Sequence, residues 1–95
     1  MAAMNEYRIY VTPHAQWRAA ERFPWFDTAV IEDEVREALK ARRVTTDRFA
    51  LGLARFSDPA SLYVWEASGE RIYAIKVNER DEHEWVVTTT MRRGM

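Results

Sequence analysis

Residues 62–91 read LYVWEASGERIYAIKVNERDEHEWVVTTTM, and this stretch decides the fold. Three of its segments are crowded with β-branched and aromatic residues, as strands typically are; they are Leu62–Glu66, Arg71–Val77 and Glu84–Met91. Short polar connections join them, at Ser68–Glu70 and at Asn78–His83. Because connections this short return the chain antiparallel to itself, the stretch predicts an antiparallel meander.

Two helices are predicted ahead of these strands. Thr12-Pro13 is a strong helix start, because a Thr side chain caps unpaired backbone N–H groups and Pro loses nothing at the first helical position. The first helix should run from about Pro13 to Arg22, and Pro24 should end it. The second should span about residues 28–42, where apolar residues recur at helical spacing, acids open the segment and basic residues close it.

The order of helices followed by strands predicts an α+β fold. We expect two N-terminal helices packed on a three- to four-stranded antiparallel sheet formed between Val44 and Met91. Residues 1–95 fit a single domain. Tyr7–Val11 reads as an edge strand or an extended arm, and Val44–Pro59 as a strand followed by a second strand or a loop.

Composition excludes several classes of protein. The 95 residues are 47% hydrophobic and 13% aromatic, which is the composition of a folded protein. The absence of cysteine excludes disulfides, thiolate metal sites and a cysteine nucleophile, and it favours the cytoplasm. Neither an export signal nor a membrane span is visible.

The net charge of −1 argues against bulk electrostatic binding of nucleic acid. It leaves open a local basic patch formed by Arg18, Arg22, Arg92 and Arg93.

The residues that point to chemistry lie on the first helix. His14, Arg18 and Arg22 are spaced by four, so they form one stripe beside the apolar stripe of Ala15, Ala19 and Phe23. A histidine exchanges protons near neutral pH, and guanidiniums bind phosphate in bidentate fashion. This set predicts metal-independent cleavage of RNA, in which the ribose 2′-hydroxyl attacks the phosphate. The alternative is a solvated face in which the arginines pair with Glu21.

A family resemblance supports the first interpretation. The run Thr12-Pro-His14-Ala-Gln-Trp-Arg18-Ala-Ala-Glu-Arg22 resembles the opening of a family of small bacterial and phage proteins of unknown function. That family reads Thr-x-His-Ala-x-x-Arg-x-x-x-Arg, followed by an acidic second helix and a sheet ending in a Val-Thr pair. Here the second helix is Ile31–Leu39 and the ending is Val86–Thr89.

The family is similar to the barnase, colicin and RelE/ParE-like group of nucleases and toxins. The resemblance implies that His14 is the acid or base, that Arg18 and Arg22 hold the phosphate, and that Thr88 or Thr90 supplies a hydroxyl donor. The two threonines should share one sheet face, because strand side chains have a period of two. Neither a cofactor nor a metal is expected, since the two histidines are far apart and have no metal-ligand spacing.

The aromatic residues support a second hypothesis of a different class. The chain has four tryptophans, which is many for 95 residues, and most of them should fill the core. They are Trp17, Trp25, Trp65 and Trp85. If Trp25 and Phe26 stay exposed in the connector between the helices, they anchor a protein interface instead. The chain would then be a non-catalytic binding protein, of the kind that a phage encodes to modulate a host protein. The sequence therefore leaves open whether the partner is RNA or a protein.

Overall fold

The computed structural model describes residues 8–53, 60–78 and 80–94. Within them, five strands form one sheet in the order β1-β5-β4-β3-β2. The strands are β1 (Arg8–Val11), β2 (Val44–Thr45), β3 (Leu62–Trp65), β4 (Arg71–Asn78) and β5 (Asp81–Arg92). The helices are α1 (Pro13–Arg22) and α2 (Ile31–Lys40), with short 3₁₀ turns at Thr28–Val30 and Arg48–Leu51.

The α+β architecture with two helices is confirmed, but the predicted sheet is corrected in two respects. The meander of β3, β4 and β5 is antiparallel, with Val64 opposite Tyr73 and Tyr73 opposite Thr90. The sheet has five strands rather than three or four, and it is mixed because β1 pairs with β5 in parallel. Ile9 of β1 is buried on the helix side of the sheet. That burial holds the predicted edge strand in the sheet.

Element boundaries differ from the prediction around the sheet. β5 begins at Asp81, three residues before the expected start, because Asn78 already pairs with Asp81. In the described part of this stretch, residues 44–53, the strand is Val44–Thr45; Asp47 then caps the 3₁₀ turn and Gly52, at φ 70°, ends it. Tyr7 of the first predicted strand and residues 54–59 of this stretch, where a second strand or a loop was expected, lie outside the described residues.

The helix ends follow from local chemistry. The Thr12 side chain accepts a hydrogen bond from the Ala15 N–H at 3.1 Å, and Pro13 occupies the first position, as predicted. Asp27 caps the 3₁₀ turn that precedes α2, so the regular helix starts at Ile31 rather than at residue 28. It stops at Lys40, because Arg42 adopts a left-handed conformation with φ 59°.

The core lies on both faces of the sheet. The helix side holds the larger cluster, formed by Ile9, Ala15, Ala19, Ile31, Val35, Ala38, Leu39, Val64, Tyr73, Ile75 and Val87. The opposite side holds a smaller cluster, formed by Leu51, Leu53, Tyr63, Ile72, Ala74 and Met91. The helices therefore cover one face as expected, and the chain after β2 supplies apolar side chains to the other. No helix in the described part of the chain is long and apolar enough to cross a membrane.

Candidate functional site

Helix α1 is fixed against β5 by side-chain hydrogen bonds at both of its ends. Near its start, the Thr12 hydroxyl donates to the Val87 carbonyl at 2.9 Å, and the Thr90 hydroxyl donates to the Ala15 carbonyl at 3.0 Å. At its end, Nη1 of Arg22 donates to the Thr90 carbonyl at 2.6 Å. Ala15 is fully buried on this face, and its small side chain allows the helix to lie close to the strand. These contacts fix which face of α1 meets solvent.

The solvent face carries His14, Trp17 and Arg18 as one group. Trp17 is 56% exposed, and its ring centroid lies 6.1 Å from that of His14, which is also an exposed residue. The guanidinium carbon of Arg18 lies 4.7 Å from the Trp17 ring centroid, within cation–π range. An imidazole and a guanidinium therefore both lie next to one exposed aromatic ring.

The predicted burial of most tryptophans is corrected here. Trp17 and Trp25 are exposed, and Trp65 and Trp85 are only partly buried. Trp17 lies two residues after the buried Ala15, and two residues turn an α-helix by about 200°. The Trp17 side chain therefore leaves the core side of α1. This signal was present in the sequence, where the apolar stripe was already defined.

Each arginine of the predicted stripe has a protein partner. Nη1 of Arg18 lies 2.8 Å from the Glu21 carboxylate, as the alternative interpretation expected, and Arg22 bonds to the Thr90 carbonyl. His14 and Arg22 stand roughly 12 Å apart along the axis, since an α-helix rises about 1.5 Å per residue. The three side chains are thus distributed along a line rather than gathered around one point.

A cationic region continues past the end of α1. Nη2 of Arg92 donates to the Arg22 carbonyl, and the Arg92 guanidinium carbon lies 5.0 Å from the Phe23 ring centroid. Burial lowers the pKa of Arg22, and the neighbouring charge of Arg18 lowers it further. Arg93, the fourth member of the expected patch, instead donates to the Gly69 carbonyl at 2.7 Å.

The two threonines are placed differently from one another. The Thr90 hydroxyl is completely buried and bonds to α1, whereas the Thr88 hydroxyl is partly exposed and donates to the Ala74 carbonyl at 3.3 Å. A bulge lies between them: Ala74 faces Thr89, but Ile75 faces Val87. Thr88 is skipped in this pairing, so side chains do not alternate regularly at that point. A period of two therefore does not place both threonines on one face of the sheet.

A second polar cluster, centred on Arg71, was not predicted. The Arg71 guanidinium binds the Glu34 carboxylate with two donors, at 2.8 and 3.1 Å, and lies 3.5 Å from that of Glu66. The Tyr73 hydroxyl also donates to Glu34. Three rings of the connector cover Arg71, with centroids 5.5 Å (Phe23), 5.3 Å (Trp25) and 4.1 Å (Phe26) from its guanidinium carbon.

The Arg71 cluster is electrostatically matched. The hydrogen bonds to Glu34 raise the pKa of Arg71, and this effect exceeds the opposing effect of burial. Burial raises the pKa of Tyr73, and the bond to Glu34 raises it further. Burial acts to raise the pKa of Glu66, but hydrogen bonds from Ser68 and Arg71 outweigh it, so the pKa is lowered. These groups stabilise one another.

Carboxylates and histidines do not gather into a metal-binding group among the residues that the structure describes. Comparison with protein-family models, with curated proteins and with solved structures gave no match to the chain.

Proposed function

We propose that the chain binds single-stranded RNA along the exposed face of α1 and cleaves it as a metal-independent, toxin-like ribonuclease of the cytoplasm. The observation that supports this most is the exposed Trp17 ring, which lies close to both His14 and Arg18. Aromatic faces stack on unpaired bases, and guanidiniums bind the phosphates of the same strand. An imidazole beside them supplies proton transfer near neutral pH.

The proposed reaction uses the RNA's own nucleophile and needs no metal. The 2′-hydroxyl oxygen forms a bond to phosphorus, the bond from phosphorus to the 5′-oxygen breaks, and a 2′,3′-cyclic phosphate remains. Neutral His14 accepts the proton of the 2′-hydroxyl and then gives it to the departing 5′-oxygen. Arg18 stabilises the charge on the phosphorane oxygens.

The ion pair of Arg18 with Glu21 is compatible with this role. Both side chains are partly exposed, and such pairs contribute only about 0–1 kcal/mol. A phosphate can therefore replace Glu21 at little cost. Of the two threonines, Thr88 is the one whose hydroxyl a substrate can recruit, while Thr90 positions α1.

The cleavage test uses a labelled oligoribonucleotide in the presence of EDTA. Wild type should produce a 2′,3′-cyclic phosphate, and His14→Ala should slow cleavage by about a hundredfold or more, as loss of a general acid–base group does. His83→Ala is the matched control, and a substrate with one 2′-deoxy position should resist cleavage there. RNA that survives prolonged incubation with wild type would remove the enzymatic proposal.

A second candidate function rests on the connector. Trp25 is 71% exposed, although its ring contacts Phe23, Phe26 and Arg71. It therefore presents an aromatic surface whose orientation these three side chains support. Exposed, well-supported tryptophans are typical centres of protein interfaces. The alternative is therefore a non-catalytic protein, of the kind that a phage encodes, that modulates a host protein through Trp25.

Expression in a bacterial host separates the two candidates. Growth and total RNA integrity are followed for wild type, His14→Ala and Trp25→Ala, with Phe49→Ala as the control for removing an exposed ring. Relief of growth inhibition by His14→Ala, with intact RNA, supports the ribonuclease. Relief by Trp25→Ala alone, with His14→Ala still inhibitory, supports the protein interface.

A further inference from the structure

We infer that Glu21 competes with the substrate for Arg18: its carboxylate holds the guanidinium in the free protein, and a phosphate of the RNA strand takes its place. This inference rests on the proposed RNA function and deepens it. It gives a role to an acid that the proposed reaction does not use. Glu21 would limit the affinity of the site rather than take part in the chemistry.

The contact between Glu21 and Arg18 is the first argument. Nη1 of Arg18 lies 2.8 Å from Oε1 of Glu21, which is the length of a charge-assisted hydrogen bond. The guanidinium fork matches carboxylate and phosphate alike. A phosphate that uses this nitrogen must displace Glu21, and one that binds elsewhere on the guanidinium meets the negative charge of the carboxylate. Either way, the two anions compete.

The Trp17 ring supplies the second argument. The guanidinium carbon of Arg18 lies over this ring, 4.7 Å from its centroid. In the free protein the cation therefore covers part of the aromatic surface that is proposed to stack on a base. Trp17 and Glu21 are four residues apart, which places them on the same side of α1. A phosphate that draws Arg18 away from Glu21 would also uncover this surface.

The exposure of the pair is the third argument. The side chains of Arg18 and Glu21 are 31% and 46% exposed, so water can solvate the carboxylate once it is displaced. The corresponding values for Arg71 and Glu34 are 10% and 20%, and an exchange there would leave a charge in the interior. Of these two pairs, that of Arg18 with Glu21 is therefore the one that a ligand can exchange.

Electrostatics on α1 support the same role. Burial lowers the pKa of Arg22 and the charge of Arg18 lowers it further, whereas the charge of Glu21 raises it. The carboxylate therefore stabilises the charge of both guanidiniums. Without Glu21, the repulsion between the two cations would be relieved by an anion from solution, and the site would bind phosphate more tightly.

The test uses Glu21→Gln, which keeps the size of the side chain and removes its charge. Fluorescence anisotropy is measured with a labelled 2′-O-methyl hexanucleotide, which binds but cannot be cleaved. Its Kd should fall by about fivefold, the upper end of what an exposed ion pair contributes. Glu32→Gln is the matched control, because Glu32 also pairs with an arginine of its own helix, Arg36 on α2. That variant should leave the Kd within about twofold of wild type.

Arg18→Met distinguishes competition from general repulsion. In this background Glu21→Gln should change the Kd by less than about twofold, because the guanidinium for which the two anions compete is gone. Low salt keeps the weaker complexes measurable, since it strengthens phosphate contacts. Equal tightening with and without Arg18 would show that Glu21 acts only through its long-range charge, and the inference would be wrong.

Kinetics with cleavable RNA provide a second readout. Competition affects binding, so Glu21→Gln should raise kcat/KM by about fivefold, while kcat at saturating RNA changes by less than about twofold. A tenfold fall in kcat would instead make Glu21 part of the chemistry and contradict the inference. If wild type binds RNA but Glu21→Gln binds it as Glu32→Gln does, the competition is wrong while the RNA function stands. If wild type neither binds nor cleaves RNA, the RNA function itself falls.

Discussion

Two arginine clusters meet at the ring of Phe23, and they use the same chemical group differently. On one side, Arg71 is buried beneath the connector and bonded to the Glu34 carboxylate, with Glu66 close by. On the other, Arg22 is only partly buried and bonds to a backbone carbonyl. A carboxylate neutralises a guanidinium, whereas a carbonyl orients it and leaves its charge.

The two clusters therefore have different roles, one in stability and one in the proposed binding of RNA. Arg71 joins α2, β4 and the connector between the helices, and its removal leaves carboxylates without their counter-charge. Arg22 lies at the contact of α1 with β5, and Arg18 lies on the solvent face of α1 in a partly exposed pair with Glu21 that an anion can replace at little cost. We therefore expect changes at Arg71 to appear in stability, and changes on the α1 face to appear in RNA binding.

The largest effect should follow Arg71→Met. Glu34 and Glu66 would keep their positions without their cation, and breaking a buried ion pair in this way costs roughly 3–5 kcal/mol of unfolding free energy. Urea denaturation measures the loss, and the double variant with Glu34→Gln should recover part of it. A loss below about 1 kcal/mol, the range of exposed pairs, would place Arg71 in the same class as Arg18.

Leu39→Ala should have the next largest effect. Leu39 lies in the helix-side core and holds α2, which carries Glu34, against the sheet. Large-to-small changes in a core cost roughly 2–5 kcal/mol. Lys40→Ala, at the adjacent exposed position, is the control for the helix itself. An unchanged denaturation midpoint for Leu39→Ala would show that α2 does not depend on this face.

Alkaline pH should weaken the Arg71 cluster through Tyr73. Its folded pKa is raised above the ordinary value of 10.0, because the ring is buried and its hydroxyl bonds to Glu34. The unfolded chain therefore releases this proton first, and the stabilisation present below pH 10 is lost as the pH rises. The expected slope is about 1.4 kcal/mol per pH unit for this proton.

Chemical denaturation between pH 9 and 11 measures that slope. Tyr73→Phe should flatten it, and Tyr10→Phe, which alters an exposed ring, should leave it as in wild type. A slope that Tyr73→Phe does not change would show that other groups control alkaline stability.

The smallest effect on stability should come from Arg18→Met. Its pair with Glu21 is partly exposed, so we expect a loss of about 0–1 kcal/mol. The same variant should reduce RNA cleavage clearly, because Arg18 is proposed to hold the phosphate. Arg18→Met should thus lose activity without losing stability, whereas Arg71→Met should lose both together. If Arg18→Met lost stability yet still cleaved RNA, Arg18 would have the structural role that is assigned here to Arg71.

Local patterns predicted the parts of the fold that depend on neighbouring residues. Thr12-Pro13 predicted the start of α1, and segments rich in β-branched and aromatic residues with short connections predicted the meander of β3, β4 and β5. The parallel pairing of Ile9 with Trp85 was not predictable in this way, because a strand's own residues do not specify its neighbour. The same limit applies to Glu34 and Arg71, which are 37 residues apart.

The candidate site was predictable as a set of residues, but not as a geometry. The spacing of His14, Arg18 and Arg22 placed them on one helix face, and helical phase also exposes Trp17. Their partners come from elsewhere in the chain: the Thr90 carbonyl orients Arg22, and Arg92 reaches back to it. The bulge near Thr88 depends on how β4 and β5 align, which a period of two does not reveal.

The contact of α1 with β5 also determines when, during synthesis, the proposed RNA-binding surface can form. Ala15 and Thr90 are joined across 75 residues, so the bond that seats the helix cannot form until nearly the whole described chain has been translated. Contacts so distant in sequence form late, because a long loop must close first. A nascent chain therefore displays His14 and Arg18 on an unsupported segment. The surface proposed to act on RNA is assembled only after β5 has emerged from the ribosome.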